Sequence, residues 1–199
     1  MKRPTTYLPS ITNMIRFDHS HVLALFRRYK PSTSLTRKRA ILTSACLALE
    51  IHAQLEEEIF YPALRAAIGS DPTLDKSTPE HDVMRQLIEV VRGLEPGSEK
   101  CDEAFQELMR AVLHHVADEE TVLLPRAEKL LAADLGALGY EMTRRRLQLL
   151  GPHTPEALQT TAYAFPIVTA LFALAVSMLG VRLIFGGRTD SHRALTRQG

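Results

Sequence analysis

Residues 41–63 read ILTSACLALEIHAQLEEEIFYPA, a stretch whose apolar side chains recur at steps of three and four residues. This spacing is typical of a helix with one buried face. At about 100° per residue, His52 and Glu56 lie within the apolar arc, whereas Glu57 and Glu58 rotate away from it. The stretch therefore predicts a helix that carries one histidine and one glutamate into a core. The arc is defined by Leu42, Ala45, Leu49, Ile59, Phe60 and Ala63.

Helical periodicity continues on both sides of this stretch, and no alternating run of the kind that forms strands appears in the sequence. We therefore predict an all-α fold. Because the connections between the first four helices are short, these helices should be antiparallel neighbours in an up-down four-helix bundle. The bundle domain is predicted to span residues 7–150 and to end in a short extra helix. The predicted helices cover residues 11–30, 34–68, Pro79 to the Gly93–Gly97 loop, 98–132 and 134–150.

The other bundle helices also carry histidines or glutamates on their buried faces. On the first helix His19 lies within the apolar arc, whereas His21 points away from it. On the third helix His81 lies on the apolar side. On the fourth helix Glu119 lies within the arc and His115 lies at its edge. Together with the pair on the second helix, these residues make six inward-pointing candidates on four helices.

The candidates favour a metal centre over an ordinary core. A single inward histidine is more often a hydrogen-bonded core residue than a ligand, but here the His-x-x-x-Glu step occurs twice, at His52/Glu56 and His115/Glu119. A dry core would disfavour two uncompensated glutamates, and a metal cation supplies the compensation. Imidazole and carboxylate without thiolate suit iron, manganese or zinc, but zinc sites usually stop at four ligands. Six candidates therefore favour a carboxylate-bridged di-iron pair.

Four ordered motifs resemble those of haemerythrin and the haemerythrin-like cation-binding domains. They are IRFDH ending at His19, HAQLE from His52 to Glu56, EH ending at His81, and HVADEE from His115 to Glu120, with Pro125 following. The resemblance covers about residues 7–150 and implies a four-helix bundle that holds two non-haem iron ions per chain. The family is associated with oxygen binding, with iron or oxygen sensing, and with defence against nitric oxide or peroxide. By motif position the ligands would be His19, His52, Glu56, His81, His115 and Glu119.

Two positions differ from the oxygen-carrying haemerythrins. Those proteins have a second histidine four residues after the one that corresponds to His81, and this chain has Arg85 there. They also place the last carboxylate five residues after the histidine that corresponds to His115, where Glu120 stands, whereas Glu119 follows it by four. Both features resemble the bacterial and regulatory branch of the family. They argue against simple reversible oxygen transport.

A separate segment follows the bundle. Residues 157–181 contain no charged residue and are long enough to cross a bilayer. A buried bundle helix is the alternative, but a run of this length that is apolar on every side exceeds what a small bundle can cover. We predict a linker at 151–161, a membrane-spanning helix at 162–185 and a basic tail at 186–199. Residues 1–10 carry no secretory signal, so a single-pass membrane protein with a cytoplasmic bundle is expected.

Three kinds of function are compatible with these features. The first is a di-iron module that binds or senses oxygen, nitric oxide or redox state, and the second is an enzyme that acts on peroxide, nitric oxide or ferrous iron. The third is a metal-free helical interaction module at a membrane. For the first two, the expected partner is a small diatomic ligand or peroxide. No protein partner is indicated.

Composition excludes other classes. The formal net charge of +1 gives no basis for nucleic-acid binding. Cys46 and Cys101 lie far apart within helical patterns and have no CxxC spacing. A disulfide framework or a thiolate metal site is therefore not expected.

Overall fold

The computed structural model describes residues 9–153, and all regular secondary structure within them is helical. The all-α prediction is confirmed for this part of the chain. Two π-helical turns, Glu56–Phe60 and Glu119–Leu123, join α2 to α3 and α5 to α6, and a short 3-10 turn, Gly151–His153, follows α7. The α-helices are α1 (Ile11–Arg28), α2 (Leu35–Leu55), α3 (Tyr61–Ile68), α4 (Pro72–Arg92), α5 (Glu99–Asp118), α6 (Leu124–Leu130) and α7 (Leu135–Leu150).

Four helical rods form the bundle, namely α1, α2 with α3, α4, and α5 with α6. Helix α1 packs mainly against α2, and α4 packs mainly against α5. The rods are connected by residues 29–34, 69–71 and 93–98, which are short enough for antiparallel neighbours. Helix α7 is the predicted extra helix, and it packs against α1 and α2.

Helix α4 begins earlier than predicted, at Pro72 instead of near Pro79. The Asp71 side chain accepts hydrogen bonds from the backbone N–H groups of Thr73, at 3.0 Å, and Leu74, at 3.2 Å. These bonds satisfy donors that have no partner within the helix. Pro72 suits the first turn because the missing N–H would be unpaired there in any case. Asp71 and Pro72 are therefore a helix start, and Pro79 lies inside the helix.

The two π-helical turns interrupt rods that the periodicity predicts as continuous helices. The backbone N–H of Tyr61 donates to the carbonyl of Glu56, and the N–H of Leu124 donates to the carbonyl of Glu119. Each of these bonds spans five residues instead of four. A proline follows both donors, and proline has no N–H with which to continue the α-helical pattern. A π turn rotates less per residue than the 100° that an α-helical projection assumes.

The bundle has two apolar layers along its length. One layer lies toward the end where Phe26 and Phe105 pack edge to face, with ring centroids 5.4 Å apart. The other includes Ile11, Phe60 and Leu123, and it receives Met142 from α7. The predicted metal-binding residues lie between these two layers.

Within residues 9–153 we find no helix that is both long and apolar enough to cross a membrane. The predicted membrane-spanning helix at 162–185 and the tail at 186–199 lie outside the described residues, as does most of the predicted linker.

Candidate metal centre

A polar layer separates the two apolar layers of the bundle. On α1, His19 lies between Ile15, in one layer, and Val22, in the other. On α2, His52 lies in the same way between Leu49 and Leu55. Because apolar side chains close the site above and below, its charged groups are shielded from water and interact strongly.

All six residues that the sequence nominates converge in this layer. They are almost completely buried, with exposed fractions from 0% to 6%. Their potential ligand atoms form two groups, within each of which all atoms lie within 4.8 Å of one another. Glu56 belongs to both groups. The first group is His19, His52, Glu56 and Glu119, and the second is Glu56, His81 and His115.

The Nε2 atoms of the four histidines face Glu56 and Glu119, which we call the inner glutamates. His19 Nε2 lies 3.1 Å from an oxygen of Glu119, and His52 Nε2 lies 3.3 Å from an oxygen of Glu56. His81 Nε2 lies 3.4 Å from that same Glu56 oxygen, and only 3.0 Å from Nε2 of His115. Two carboxylates thus lie among four imidazoles.

The other ring nitrogen of each histidine, Nδ1, faces a second carboxylate. His19 Nδ1 lies 2.8 Å from Glu120, and His81 Nδ1 lies 2.9 Å from Glu57. His115 Nδ1 lies 2.9 Å from Glu80, whereas His52 Nδ1 lies 3.6 Å from Asp18, a distance for charge attraction but not for a hydrogen bond. We call these the outer carboxylates: Asp18, Glu57, Glu80 and Glu120. An ionised carboxylate only accepts, so in the three hydrogen bonds Nδ1–H is the donor.

The outer carboxylates form a closed ring around the bundle. Asp18 on α1 faces the histidine of α2, and Glu57, after α2, faces that of α4. Glu80 on α4 faces the histidine of α5, and Glu120, after α5, returns to that of α1. Each carboxylate is adjacent in sequence to a predicted ligand of its own helix but contacts the histidine of another. These contacts fix the orientation of the imidazole groups, as the outer hydrogen-bond partners of metal-bound histidines do.

Each outer carboxylate is in turn paired with a cation. Arg146 of α7 donates to Asp18 with both of its terminal nitrogens, and Arg85 donates to Glu57 at 2.6 Å. For the other two, Lys76 lies 3.5 Å from Glu80, and Arg16 donates to Glu120 at 3.1 Å. These positive charges attract the carboxylates and hold them in place.

The prediction that Glu57 turns away from the core is wrong. The α-helical projection placed Glu57 outside the apolar arc, yet its carboxylate accepts hydrogen bonds from both His81 and Arg85. It reaches the polar layer from the flank of its helix and contacts the histidine of a neighbouring helix, as two other outer carboxylates do from regular α-helices. Glu58 is a surface residue as predicted, where it accepts from Arg145 and Gln54.

Tyr61 is a residue of the site that the sequence analysis missed. Its hydroxyl lies 3.0 Å from an oxygen of Glu56 and 2.9 Å from an oxygen of Glu119, so its one proton can be donated to either, and its ring stacks on His81. The two histidines that the helical projection excluded as ligands lie outside the site. His114 is exposed, and His21 lies outside both groups of potential ligand atoms. A helical projection could not find Tyr61, since the π-helical turn lies between it and Glu56.

The pattern of the hemerythrin HHE cation binding domain family matches residues 10–142. The chain belongs to this family. The matched segment contains all six predicted ligands, the four outer carboxylates and Tyr61. The family assignment supports a cation-binding module and leaves the identity and number of the cations to experiment.

Several curated proteins are similar to this haemerythrin-family chain. A protein of Nostoc sp. named DNA nickase is 26% identical over 125 residues, which cover 63% of this chain but only 35% of that protein. Uncharacterised proteins of Mycobacterium tuberculosis and Mycobacterium bovis are each 26% identical over 142 residues, which cover 70% of this chain and 86% of theirs. This chain therefore spans about a third of the Nostoc relative. No solved structure matches the chain.

The electrostatics of the haemerythrin-family site suit a multivalent cation. Burial alone would raise the pKa of Glu56, but His52, His115 and His81 hold it well below its usual range. Burial likewise opposes the charged form of His81, yet hydrogen bonds to Glu56 and Glu57 raise its pKa to about 9. In the absence of a metal, a proton on His81 helps to balance the charge of Glu56. A metal ion would take the place of that proton.

Individual atoms also fit a cation. With Nδ1 of His81 and His115 donating to outer carboxylates, neutral rings would direct two lone pairs at each other across 3.0 Å. A positive charge between them relieves this repulsion. In addition, Oε1 of Glu56 and both ring nitrogens of His52 are buried without a hydrogen-bond partner among residues 9–153. Buried polar atoms of this kind are costly when unpaired, and a cation would supply a partner for the carboxylate oxygen and for one ring nitrogen.

Proposed function

We propose that this chain binds two non-haem iron ions in its bundle, and that the centre binds or senses oxygen, nitric oxide or redox state. The observation that carries the proposal is the ring of outer carboxylates, because Nε2 of every histidine faces the inner glutamates and hydrogen bonds from Nδ1 fix three of the four rings. Ordinary core histidines do not need such an arrangement on four helices. The proposed ligands are His19, His52, Glu56, His81, His115 and Glu119.

The donor set favours two ions over one. The two groups of potential ligand atoms share Glu56, whose two oxygens would allow it to bridge a pair of cations. Neutral imidazole together with carboxylate suits iron better than a four-coordinate zinc site, which six donors exceed. Bound iron would supply one-electron chemistry and positions at which a small molecule could bind. The chain's own residues orient the rings and exclude water.

A small cavity beside the histidines supports a small ligand. Its volume is about 10 Å³, room for about one water molecule. Besides the four histidines it is lined by apolar side chains such as Val22 and Met84, and by the charged residues Asp18, Glu50 and Arg85. A space of this size suits only a very small ligand and excludes a larger organic substrate.

Arg85 favours a reactive centre over an oxygen carrier. Its guanidinium donates to Glu57 at 2.6 Å and to Asp82 at 2.8 Å, and a guanidinium is too basic to offer a lone pair to a metal. Arg85 therefore supports His81 through Glu57 but adds no ligand of its own. The second candidate function rests on this observation: an enzyme that acts on peroxide, nitric oxide or ferrous iron.

We also propose that residues 162–185 anchor the protein in a membrane, with the bundle on the cytoplasmic side. Composition supports the proposal, since residues 157–181 contain no charged residue. The nickase activity named for the Nostoc relative is not part of our proposal, because the alignment covers only 35% of that protein.

Metal analysis of the full chain tests the iron proposal. The protein is purified in detergent, loaded with ferrous iron under anaerobic conditions and freed of excess metal. We expect close to two irons per chain, and a clear loss of iron in His52→Ala. His114→Ala is the matched control, since His114 is 70% exposed, and it should retain the wild-type iron content. Trace iron in the wild type, or equal iron in both variants, would contradict the proposal.

A further inference from the structure

The hydroxyl of Tyr61 lies inside the proposed donor cluster. Tyr61 is buried, and its oxygen lies 3.0 Å from an oxygen of Glu56, 2.9 Å from an oxygen of Glu119 and 3.4 Å from Nε2 of His81. It therefore contacts both inner glutamates and one of the imidazoles at hydrogen-bonding distance. These are the atoms that would surround the cations. The phenol oxygen is thus as close to the centre as the proposed ligands are to one another.

The second half of the bundle provides an internal comparison. Tyr61 and Leu124 each lie five residues after an inner glutamate, directly after a π-helical turn and directly before a proline. The backbone N–H of each donates to the carbonyl of its glutamate. Leu124 is fully buried. An apolar side chain therefore satisfies the packing of this position in one half of the bundle.

Packing therefore does not explain why the side chain at position 61 carries a hydroxyl group. Burying a phenol costs free energy unless its oxygen is paired, and here it is aimed at two carboxylates. A phenolate oxygen is anionic, and tyrosine is an established protein ligand of iron. The position and the chemistry of this side chain both suit a ligand.

Resting on the iron-binding function proposed above, we propose that Tyr61 is a seventh protein ligand, which binds ferric iron through its phenolate oxygen. When it binds, the O–H bond breaks, the proton is released to solvent, and the oxygen lone pair forms a bond to the metal. No electron is transferred in this step. The residue then adds one negative charge to those of the two inner glutamates, and this stabilises the ferric state.

Absorption and resonance Raman spectra of the ferric full chain test this assignment. Phenolate bound to ferric iron gives a visible charge-transfer band, and excitation into that band enhances the ring vibrations of the bound tyrosine. We expect both signals in the wild type and their loss in Tyr61→Phe, which removes a single oxygen atom. Tyr29→Phe is the matched control, because the Tyr29 hydroxyl bonds Asp102 among the apolar residues of the other layer.

Iron content, measured on the same samples, separates this proposal from the proposed function. A wild-type chain that holds iron but shows neither signal overturns the assignment of Tyr61 and leaves iron binding intact. Signals that persist in Tyr61→Phe, or that disappear in Tyr29→Phe, overturn it as well. A wild-type chain without iron contradicts the proposed function itself. If Tyr61→Phe folds poorly, a wild-type Raman spectrum without vibrations of a bound tyrosine still overturns the assignment.

Discussion

Replacing Glu57 with alanine removes the carboxylate that holds His81 in the proposed centre. Glu57 accepts from His81 Nδ1 at 2.9 Å and from Arg85 at 2.6 Å. Its side chain is 25% exposed, so these charged hydrogen bonds are only partly screened by water. Without Glu57, His81 loses the partner that fixes its ring and leaves its Nε2 lone pair facing inward.

The loss of such an outer partner typically weakens metal binding about 10- to 100-fold, or about 1.4 to 2.7 kcal/mol. We expect an effect in this range for Glu57→Ala. Glu58→Ala is the matched control, because Glu58 is the neighbouring glutamate and bonds only side chains at the surface. The control should stay within about 0.5 kcal/mol of the wild type.

Competition with a coloured iron chelator under anaerobic conditions measures both affinities. A Glu57→Ala protein that binds iron within twofold of the wild type would refute the role of the outer carboxylates. An equal loss in Glu58→Ala would instead indicate a general effect of negative charge near the site.

Three further predictions concern pH, the cavity and the membrane. Burial lowers the pKa of His81, but hydrogen bonds to Glu56 and Glu57 raise it to about 9. Iron must therefore displace a proton from His81, and the affinity of the chain for iron should rise up to about tenfold per pH unit as the pH increases toward 9. The stability of the iron-free chain should depend on pH in the opposite direction. The raised pKa of His81 stabilises the fold fully below about pH 6.5, and this contribution is lost as pH rises through 9. Chelator competition measured against pH checks the change in iron affinity, and thermal unfolding measured against pH checks the change in stability. Val112→Leu should fill the cavity of about 10 Å³ and leave the iron content unchanged. It should slow the oxidation of the reduced centre in stopped-flow measurements. An unaltered oxidation rate would argue against this cavity as the ligand site. Deletion of residues 157–199 should release a bundle with an unchanged iron spectrum from the membrane fraction, whereas extraction of the full chain by alkaline carbonate would contradict a spanning helix.

Much of this architecture could be predicted from local sequence patterns. Helical periodicity and short connections predicted the all-α fold, which the structure confirms for the described residues. The twofold His-x-x-x-Glu step nominated residues that converge in one buried layer. These predictions succeeded because residues four apart on a helix share a face, whatever packs against that helix.

The start of α4 and the π-helical turns were not predicted, for different reasons. The Asp71 cap was visible in the sequence, but the helix was predicted to begin only at Pro79, because an Asp-Pro pair occurs in turns as well as at helix starts. The π-helical turns begin at Glu56 and Glu119 and change the angle per residue along the rods. A projection with one fixed angle therefore missed Tyr61, which follows the first of these turns. The role of Glu57 was missed because a projection of one helix does not show which side chains of neighbouring helices lie at its flank.

The sequence by itself determined that four histidines and two glutamates lie on the inward faces of their helices, because along an α-helix the direction of a side chain depends only on rotation about the helix axis. Only the tertiary structure decided their partners. Asp18 stands next to His19 in the chain but faces His52, and Glu80 stands next to His81 but faces His115. These pairs depend on the relative height and rotation of two packed helices. Helix packing is a property of the assembled core, and no single helix encodes it.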